Sequence, residues 1–242
     1  MELRKARAVL PQLRFVDSID STNLSLQREY ASLADFSALA AAEQTGGQGR
    51  AGRNWVSDAG ASISLSLLLR PSRPEIASLI TLLMASSARQ AISELYPSLT
   101  VSIKWPNDLL IEDRKLAGVL ATVNPDQSVV VGIGINLARQ SAPDTAVALG
   151  EFVTADFDSV LAAVLLKLQE NWQRLQADAE TNWLIEDIRA NCSTLGAEIR
   201  AELVTGESIV GRATDITKDG RLIVQADQEH VLSAADVWHI RR

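Results

Sequence analysis

Ser102-Ile103-Lys104-Trp105-Pro106-Asn107-Asp108-Leu109-Leu110-Ile111, followed by Glu112-Asp113-Arg114 and then Lys115-Leu116-Ala117-Gly118-Val119-Leu120-Ala121-Thr122-Val123, is the stretch that decides the fold. The first segment reads as a strand interrupted by a Trp-Pro-Asn-Asp corner. Proline lacks the N–H that a sheet ladder needs, so it belongs at a strand edge, an end or a bulge. Asn and Asp beside it bond their own backbone and favour a turn. Glu112-Asp113-Arg114 is a charged hairpin tip. The third segment is a return strand that opens with a lysine and carries a glycine three places on. A lysine at a strand start is commonly solvated edge decoration, whereas a glycine inside a strand marks close approach by another group.

Working outward, Val129-Val130-Val131-Gly132-Ile133-Gly134-Ile135-Asn136 is a buried β-branched run that thins at two alternate positions. Missing side chains at Gly132 and Gly134 leave either a slot on one face or a tight crossing of two sheets. Upstream lies Gly46-Gly47-Gln48-Gly49-Arg50-Ala51-Gly52-Arg53, with Trp55 just beyond. Neither helix nor strand favours that glycine content. It suits a loop that closes over an anion, with arginine supplying a charge that does not titrate; a flexible surface turn is the other reading. It is neither a Walker loop nor a dinucleotide fingerprint.

The remaining elements fit an α+β chain. A short strand over 13–17 leads into Asp20-Ser21-Thr22-Asn23, good N-cap residues for a helix to about Leu33. Strands are expected at Ser37–Glu43, with Gln44 at the end, and at Ser62–Leu69. Helices are expected at Ile76–Leu95 and across Asp156–Trp183, where Trp172 belongs to a broad apolar stripe. From Ala197 onward, short strands alternate with turns such as Thr205-Gly206-Glu207 and Lys218-Asp219-Gly220, the pattern of a small all-β barrel.

In chain order, Ser-Thr-Asn at 21–23, Gln44, the Gly/Arg loop at 47–53, KWPND at 104–108, KLAGVL at 115–120 and GIGIN at 132–136 resemble the biotin protein ligases. The likeness is detailed over roughly residues 15–140 and holds in outline beyond. It implies a mixed-sheet catalytic domain flanked by helices, of class II synthetase type, over 1–190. An SH3-like β domain would follow over 191–242. It also implies a two-step reaction: biotin and ATP give biotinyl-5′-AMP and pyrophosphate, and a lysine of a biotin carboxyl carrier protein then displaces AMP.

The resemblance further implies roles. Arg50 and Lys115 would bridge the biotin carboxylate and the α-phosphate. Arg53 would lie further along the phosphates, a salt bridge that holds the loop shut being its plainer role. Ser21, Thr22, Asn23 and Gln44 would meet the ureido ring of biotin, with Gln48 and Gly49 adding loop contacts. Trp105, Gly118, Gly132 and Gly134 would wall the valeryl chain. Trp55 and Asn136 are expected on the ATP side. Asn107 and Asp108 would hold a magnesium-bound phosphate or orient the incoming lysine, both readings staying open. Mg²⁺ would arrive on ATP and keep several waters. The chain departs from many members at Gln48 and Ala51, where basic residues are common, so weaker shielding of ATP and easier escape of the intermediate are expected.

Composition sets the remaining bounds. The 242 residues are 47% hydrophobic and carry a net charge of −7, which speaks against a generally nucleic-acid-binding surface. The single cysteine, Cys192, excludes an intrachain disulfide and a multi-cysteine zinc site. Two histidines, His230 and His239, argue against a His-based metal centre. No signal peptide and no membrane span are expected, which points to the cytoplasm. With about fifteen residues before the first strand, no N-terminal DNA-binding domain is expected; a homodimer is compatible with the sequence. A lipoate or octanoate ligase of the same fold and a non-catalytic biotin sensor are the rivals. Retention of both Arg50 and Lys115 argues against the sensor, because ligand capture alone needs no phosphate clamp.

Overall fold

Ser62–Leu69 alternates serine or leucine with apolar residues, yet every position is buried. Ile63, Leu65, Leu67 and Leu69 enter the main apolar core, while Leu68 joins a second cluster with Leu26, Leu39 and Val130. A strand covered on both faces belongs in the middle of a sheet. In the computed structural model, which describes residues 1–55, 58–139, 144–178, 180–203 and 205–240, this strand is β3. It sits in a seven-stranded sheet of order β1-β2-β3-β7-β6-β5-β4. The strands are β1 (Arg14–Ile19), β2 (Ser37–Gln44), β3 (Ser62–Leu69), β4 (Ser102–Lys104), β5 (Asp108–Ile111), β6 (Arg114–Val123) and β7 (Val129–Asn136). β1 and β2 pair parallel and the other neighbours antiparallel.

The helices divide between the two faces. α3 (Ile80–Leu95) and α4 (Phe157–Ala177) pack together over the main core. α2 (Thr22–Glu29), capped by Ser21, lies on the opposite face through Leu26. A short helix, α1 (Arg4–Val9), was not expected from sequence. Its first turn is held by the Asp158 carboxylate, which accepts from the backbone N–H of Lys5 at 2.8 Å and of Ala6 at 2.9 Å.

Other expectations need correction. The Trp-Pro-Asn-Asp corner is a full reversal: β4 and β5 form their own antiparallel hairpin, with Lys104 opposite Asp108 and a cis Trp105–Pro106 bond in the turn. The helix expected across 156–183 is two, α4 and α5 (Asn182–Asn191), and Trp183 belongs to the second. Pro74–Leu95 is long and apolar enough by composition to cross a bilayer, contrary to the sequence reading. Its Ile80, Leu83, Met84, Ala88 and Ile92 are fully buried within the protein, as a core helix requires.

The C-terminal part is a five-stranded antiparallel sheet of order β11-β10-β9-β8-β12. Its strands are β8 (Glu198–Glu202), β9 (Ser208–Ile216), β10 (Leu222–Gln225), β11 (Glu229–Leu232) and β12 (Asp236–His239). β9 alternates buried and exposed residues, the signature of a sheet with one dry face. That dry face, through Ile199, Ala201, Ala213, Leu222 and Val237, belongs to the same core cluster as the large sheet. The indole of Trp105 ties the two sheets, its Nε1–H donating to Gly220 O at 2.9 Å.

Candidate active site

Sheet register builds the site. Lys104 pairs with Asp108, Asp108 with Gly118, Gly118 with Gly134, and Gly134 with Ser64, forming one row across five strands. Two residues along, Leu120, Gly132 and Ser66 form the next row on the same face. Glycine and serine leave this face hollow at its centre, while the outer end of the first row carries a lysine and a carboxylate. The hollow is a cavity of ≈ 210 Å³ roofed by the start of α2, the glycine-rich segment and residues 235–238 of the C-terminal sheet.

One end of the cavity is polar and neutral. Gln44 Oε1 accepts from the Thr22 backbone N–H at 2.7 Å and from Thr22 Oγ1 at 3.0 Å. Thr22 Oγ1 lies 2.8 Å from Ser66 Oγ, and Asn23 Nδ2 donates to Leu120 O at 3.4 Å. An added Cβ at Gly132 would stand 2.9 Å from Ser66 Oγ and 3.1 Å from Asn23 Nδ2. Ser66 therefore belongs to this network, although a serine inside an apolar strand carries no role that residue order alone reveals.

The other end is cationic. Register slips by one residue between Leu109 and Leu110, so that Leu109 faces Ala117 and Leu110 faces Lys115. This bulge re-aims the start of β6. Lys115 Nζ then reaches back over Gly118, where an added Cβ would stand 3.0 Å away, and pairs with Asp108 Oδ1 at 2.7 Å. The contact is an ion pair without hydrogen-bond alignment, and Asp108 Oδ1 accepts no hydrogen bond. The backbone of Lys115 is fixed by the neighbouring segment: its N–H donates to Thr145 O at 2.7 Å and its carbonyl accepts from Val147 N–H at 2.9 Å.

The glycine-rich segment folds back on itself. Trp55 N–H donates to Gly47 O at 2.9 Å, Gly49 N–H to Arg53 O at 2.6 Å, and Gln48 bridges Asn54. The reversal is a single 3₁₀ turn, Arg50–Gly52, closed by Gly52 at φ 70. Arg50 Nη1 donates to Asn107 Oδ1 at 3.1 Å, and Asn107 is itself anchored by Nδ2 donating to Val119 O at 2.9 Å. Burial pulls the Arg50 guanidinium below its ordinary value, opposed by the Asp236 and Asp108 carboxylates; it stays charged at neutral pH. Arg53 makes the salt bridge that was its plainer reading, to Asp236 at 2.8 Å. Trp55 lies against Gly134: an added Cβ there would stand 2.5 Å from the indole Nε1 and closer to ring carbons. The Lys115 ammonium is 5.9 Å from the Trp55 ring centre.

The structure thus brings Ser21, Thr22, Asn23, Gln44, Gln48, Gly49, Arg50, Arg53, Trp55, Asn107, Asp108, Lys115, Gly118, Gly132 and Gly134 to one cavity. Trp105 borders the cavity as well; its indole is 1% exposed, sits in the core and donates to Gly220, so it also anchors the C-terminal sheet. Asn136 is outside the cavity lining; its Nδ2 donates to Val147 O at 3.0 Å and Lys115 O at 3.3 Å, a clasp on the lysine backbone. The room beside Gly118 is taken by Lys115 itself. The wall from Ala235 to Trp238 had no local signal, because it depends on how distant segments pack. Ala51 lies in the 3₁₀ turn, and its side chain is outside the described residues.

The pattern of the Biotin/lipoate A/B protein ligase family matches residues 15–137, and that of the Biotin protein ligase C terminal domain matches 194–239. The chain belongs to the biotin/lipoate A/B protein ligase family. Within the curated members of this ligase family, a biotin–[acetyl-CoA-carboxylase] ligase of Mycobacterium tuberculosis is 34% identical, across 95% of this chain and 90% of its own length. A bifunctional ligase/repressor BirA of Bacillus spizizenii is 30% identical, across 93% of this chain and 72% of its own. The solved biotin protein ligase of Aquifex aeolicus, in complex with biotin and ATP, superposes with a TM-score of 0.81 at 26% identity, covering 95% of this chain and 99% of that one.

Proposed function

We propose that this chain is an ATP-dependent biotin protein ligase of the biotin–[acetyl-CoA-carboxylase] ligase type. It converts biotin and ATP to biotinyl-5′-AMP and pyrophosphate, then passes biotin to a lysine of a carrier domain. The observation that carries this reading is the convergence of Arg50 and Lys115, from separate segments, on one cavity whose far end is a neutral hydrogen-bonding network. A C-terminal domain named for biotin protein ligases favours biotin over lipoate.

The first step joins two anions. Unit charges 4 Å apart repel by about 4 kcal/mol at an effective dielectric near 20. Arg50 and Lys115 offset that repulsion and stabilise the charge that builds at phosphorus. Thr22, Asn23, Gln44 and Ser66 supply the donors and acceptors that a ureido ring needs. Gly134 lets the Trp55 indole, expected on the ATP side, settle onto the sheet, and that indole walls the slot for the apolar chain. Asp108 holds the Lys115 ammonium; when ligand draws that ammonium away, the freed carboxylate is placed to orient the carrier amine for the second step. Mg²⁺ enters on the ATP phosphates. We assign residues 1–190 to the biotin- and ATP-binding unit and 191–242 to the C-terminal β unit. The carrier domain is the protein partner, and the reaction is placed in the cytoplasm, where ATP and carrier meet.

Biotin-dependent exchange of pyrophosphate into ATP tests the assignment. Exchange with biotin, little with lipoate, and a loss of roughly 10²-fold or more in Lys115→Ala are expected. Near-normal exchange in that variant would remove Lys115 from its role, and exchange with lipoate in place of biotin would overturn the substrate.

A further inference from the structure

Four cations line the cavity: Arg50, Arg53, Lys104 and Lys115. Three are engaged, Arg50 with Asn107, Arg53 with Asp236 and Lys115 with Asp108. Lys104 differs. Among the described residues its ammonium makes no hydrogen bond and no salt bridge, although it is half-buried. It shares its neighbourhood with Asp108, Lys115, Arg53 and Asp236, and burial pulls it below the ordinary lysine range. A cation held partly out of water without a direct counter-ion is costly unless something else supplies the anion.

Register says where that anion would lie. Lys104 ends the row Ser64, Gly134, Gly118, Asp108, Lys104, three strand spacings from Gly134, or roughly 14 Å of sheet. Lys115, lying over Gly118, falls between the apolar slot and Lys104. Resting on the reading above, biotin lies beside the Trp55 indole that covers Gly134, and the α-phosphate meets Lys115 and Arg50. The phosphates beyond the reacting phosphorus then run toward the outer end of the row.

We propose that Lys104 binds the β- and γ-phosphates of ATP and stabilises the departing pyrophosphate in the adenylation step. A biotin carboxylate oxygen forms a bond to the α-phosphorus, the bond from that phosphorus to the oxygen bridging to the β-phosphorus breaks, and the electron pair leaves on pyrophosphate beside the Lys104 ammonium. Lys104 has no such task in the second step, because biotinyl-5′-AMP carries a single phosphate.

The two half-reactions separate the possibilities. Lys104→Ala, Lys104→Gln and Lys104→Arg are made in the full chain. In Ala and Gln, biotin-dependent exchange is expected to fall about tenfold or more, with the loss in KM for ATP and pyrophosphate or in the rate at saturation. The biotin dissociation constant without ATP stays within twofold. Transfer from chemically prepared biotinyl-5′-AMP to a carrier domain also stays within twofold of the unaltered chain, and Arg restores most of the exchange. Normal exchange in Ala and Gln, or an equal loss in both half-reactions, overturns the proposal. Failure of the unaltered chain to exchange with biotin would instead overturn the ligase reading on which it rests.

Discussion

Trp55 rests against Gly134 so closely that the two leave no room for a side chain at 134. The indole, one wall of the slot, is thus seated on a strand about eighty residues away in sequence. A methyl group at 134 displaces the indole and narrows the slot from below. Gly134→Ala is therefore expected to weaken biotin binding about tenfold or more, ~1.4 kcal/mol, with the far-UV circular dichroism unchanged. Titration calorimetry checks this, and unaltered affinity would refute the placement of biotin beside Trp55.

Trp55 also gives a spectroscopic handle. Its Nε1–H is buried with no acceptor. A ligand entering beside Gly134 changes that environment, so biotin is expected to alter the tryptophan emission of the native chain. Trp55→Phe should abolish most of that change, whereas Trp105→Phe should leave it intact. A signal that survives in Trp55→Phe would place the ligand elsewhere.

Trp105 makes a different prediction. Its indole N–H satisfies the Gly220 carbonyl in a buried setting. Trp105→Phe leaves that oxygen unpaired, which typically costs about 1–3 kcal/mol. Urea unfolding should show the loss, while biotin affinity changes by less than threefold. A large loss of affinity with unchanged stability would instead make Trp105 a wall of the biotin slot.

Asn136 joins the carbonyls of Lys115 and Val147 through one amide group. Asn136→Ala removes both bonds and loosens the backbone that aims Lys115. The exchange rate at saturating substrates is expected to fall about tenfold, the scale of a small misplacement at a reacting centre. Biotin affinity without ATP should hold. If KM for ATP rises with the rate unchanged, Asn136 touches ATP directly.

Acid should loosen the end of the large sheet remote from the cavity. Asp126 accepts from Ser128 and pairs with Arg70, whose guanidinium also binds the carbonyls of Tyr30 and Leu33. The Ser128 and Arg70 bonds lower the Asp126 carboxyl from 3.8 to about 2. A folded-state value below the unfolded one means the contribution is present above pH ~4 and is lost as pH falls toward ~2. Urea midpoints measured across that window should drop less steeply in Asp126→Asn than in the native chain. Parallel curves would contradict the linkage.

Much of this could be read from residue order. Turn chemistry and period-two patterns placed β2, β3 and β7 to within a residue or so, because each is bounded by polar or glycine-rich segments. The motifs also placed Thr22, Gln44, Arg50 and Lys115 in one site. What stayed hidden depends on three-dimensional register. The bulge between Leu109 and Leu110 has no composition signal, yet it decides which way Lys115 points. The resemblance implies an ATP contact for Asn136; its amide bonds the carbonyls of Lys115 and Val147, backbone that only the fold brings to it. The bond from Trp105 to Gly220 was equally hidden, because its partner lies in the other sheet. The long helix was overextended because α4 ends at Ala177 with no proline or glycine to mark the stop.

The bridge from Arg53 to Asp236 has a consequence during biosynthesis. Asp236 opens β12, which leaves the ribosome after all the other described strands of the two sheets. A nascent polypeptide that already possesses both motif lysines still lacks one side of its reaction chamber. Premature termination before that strand would release a molecule in which Arg53 has lost its anchor, so adenylation competence should arise only once translation has passed residue 236.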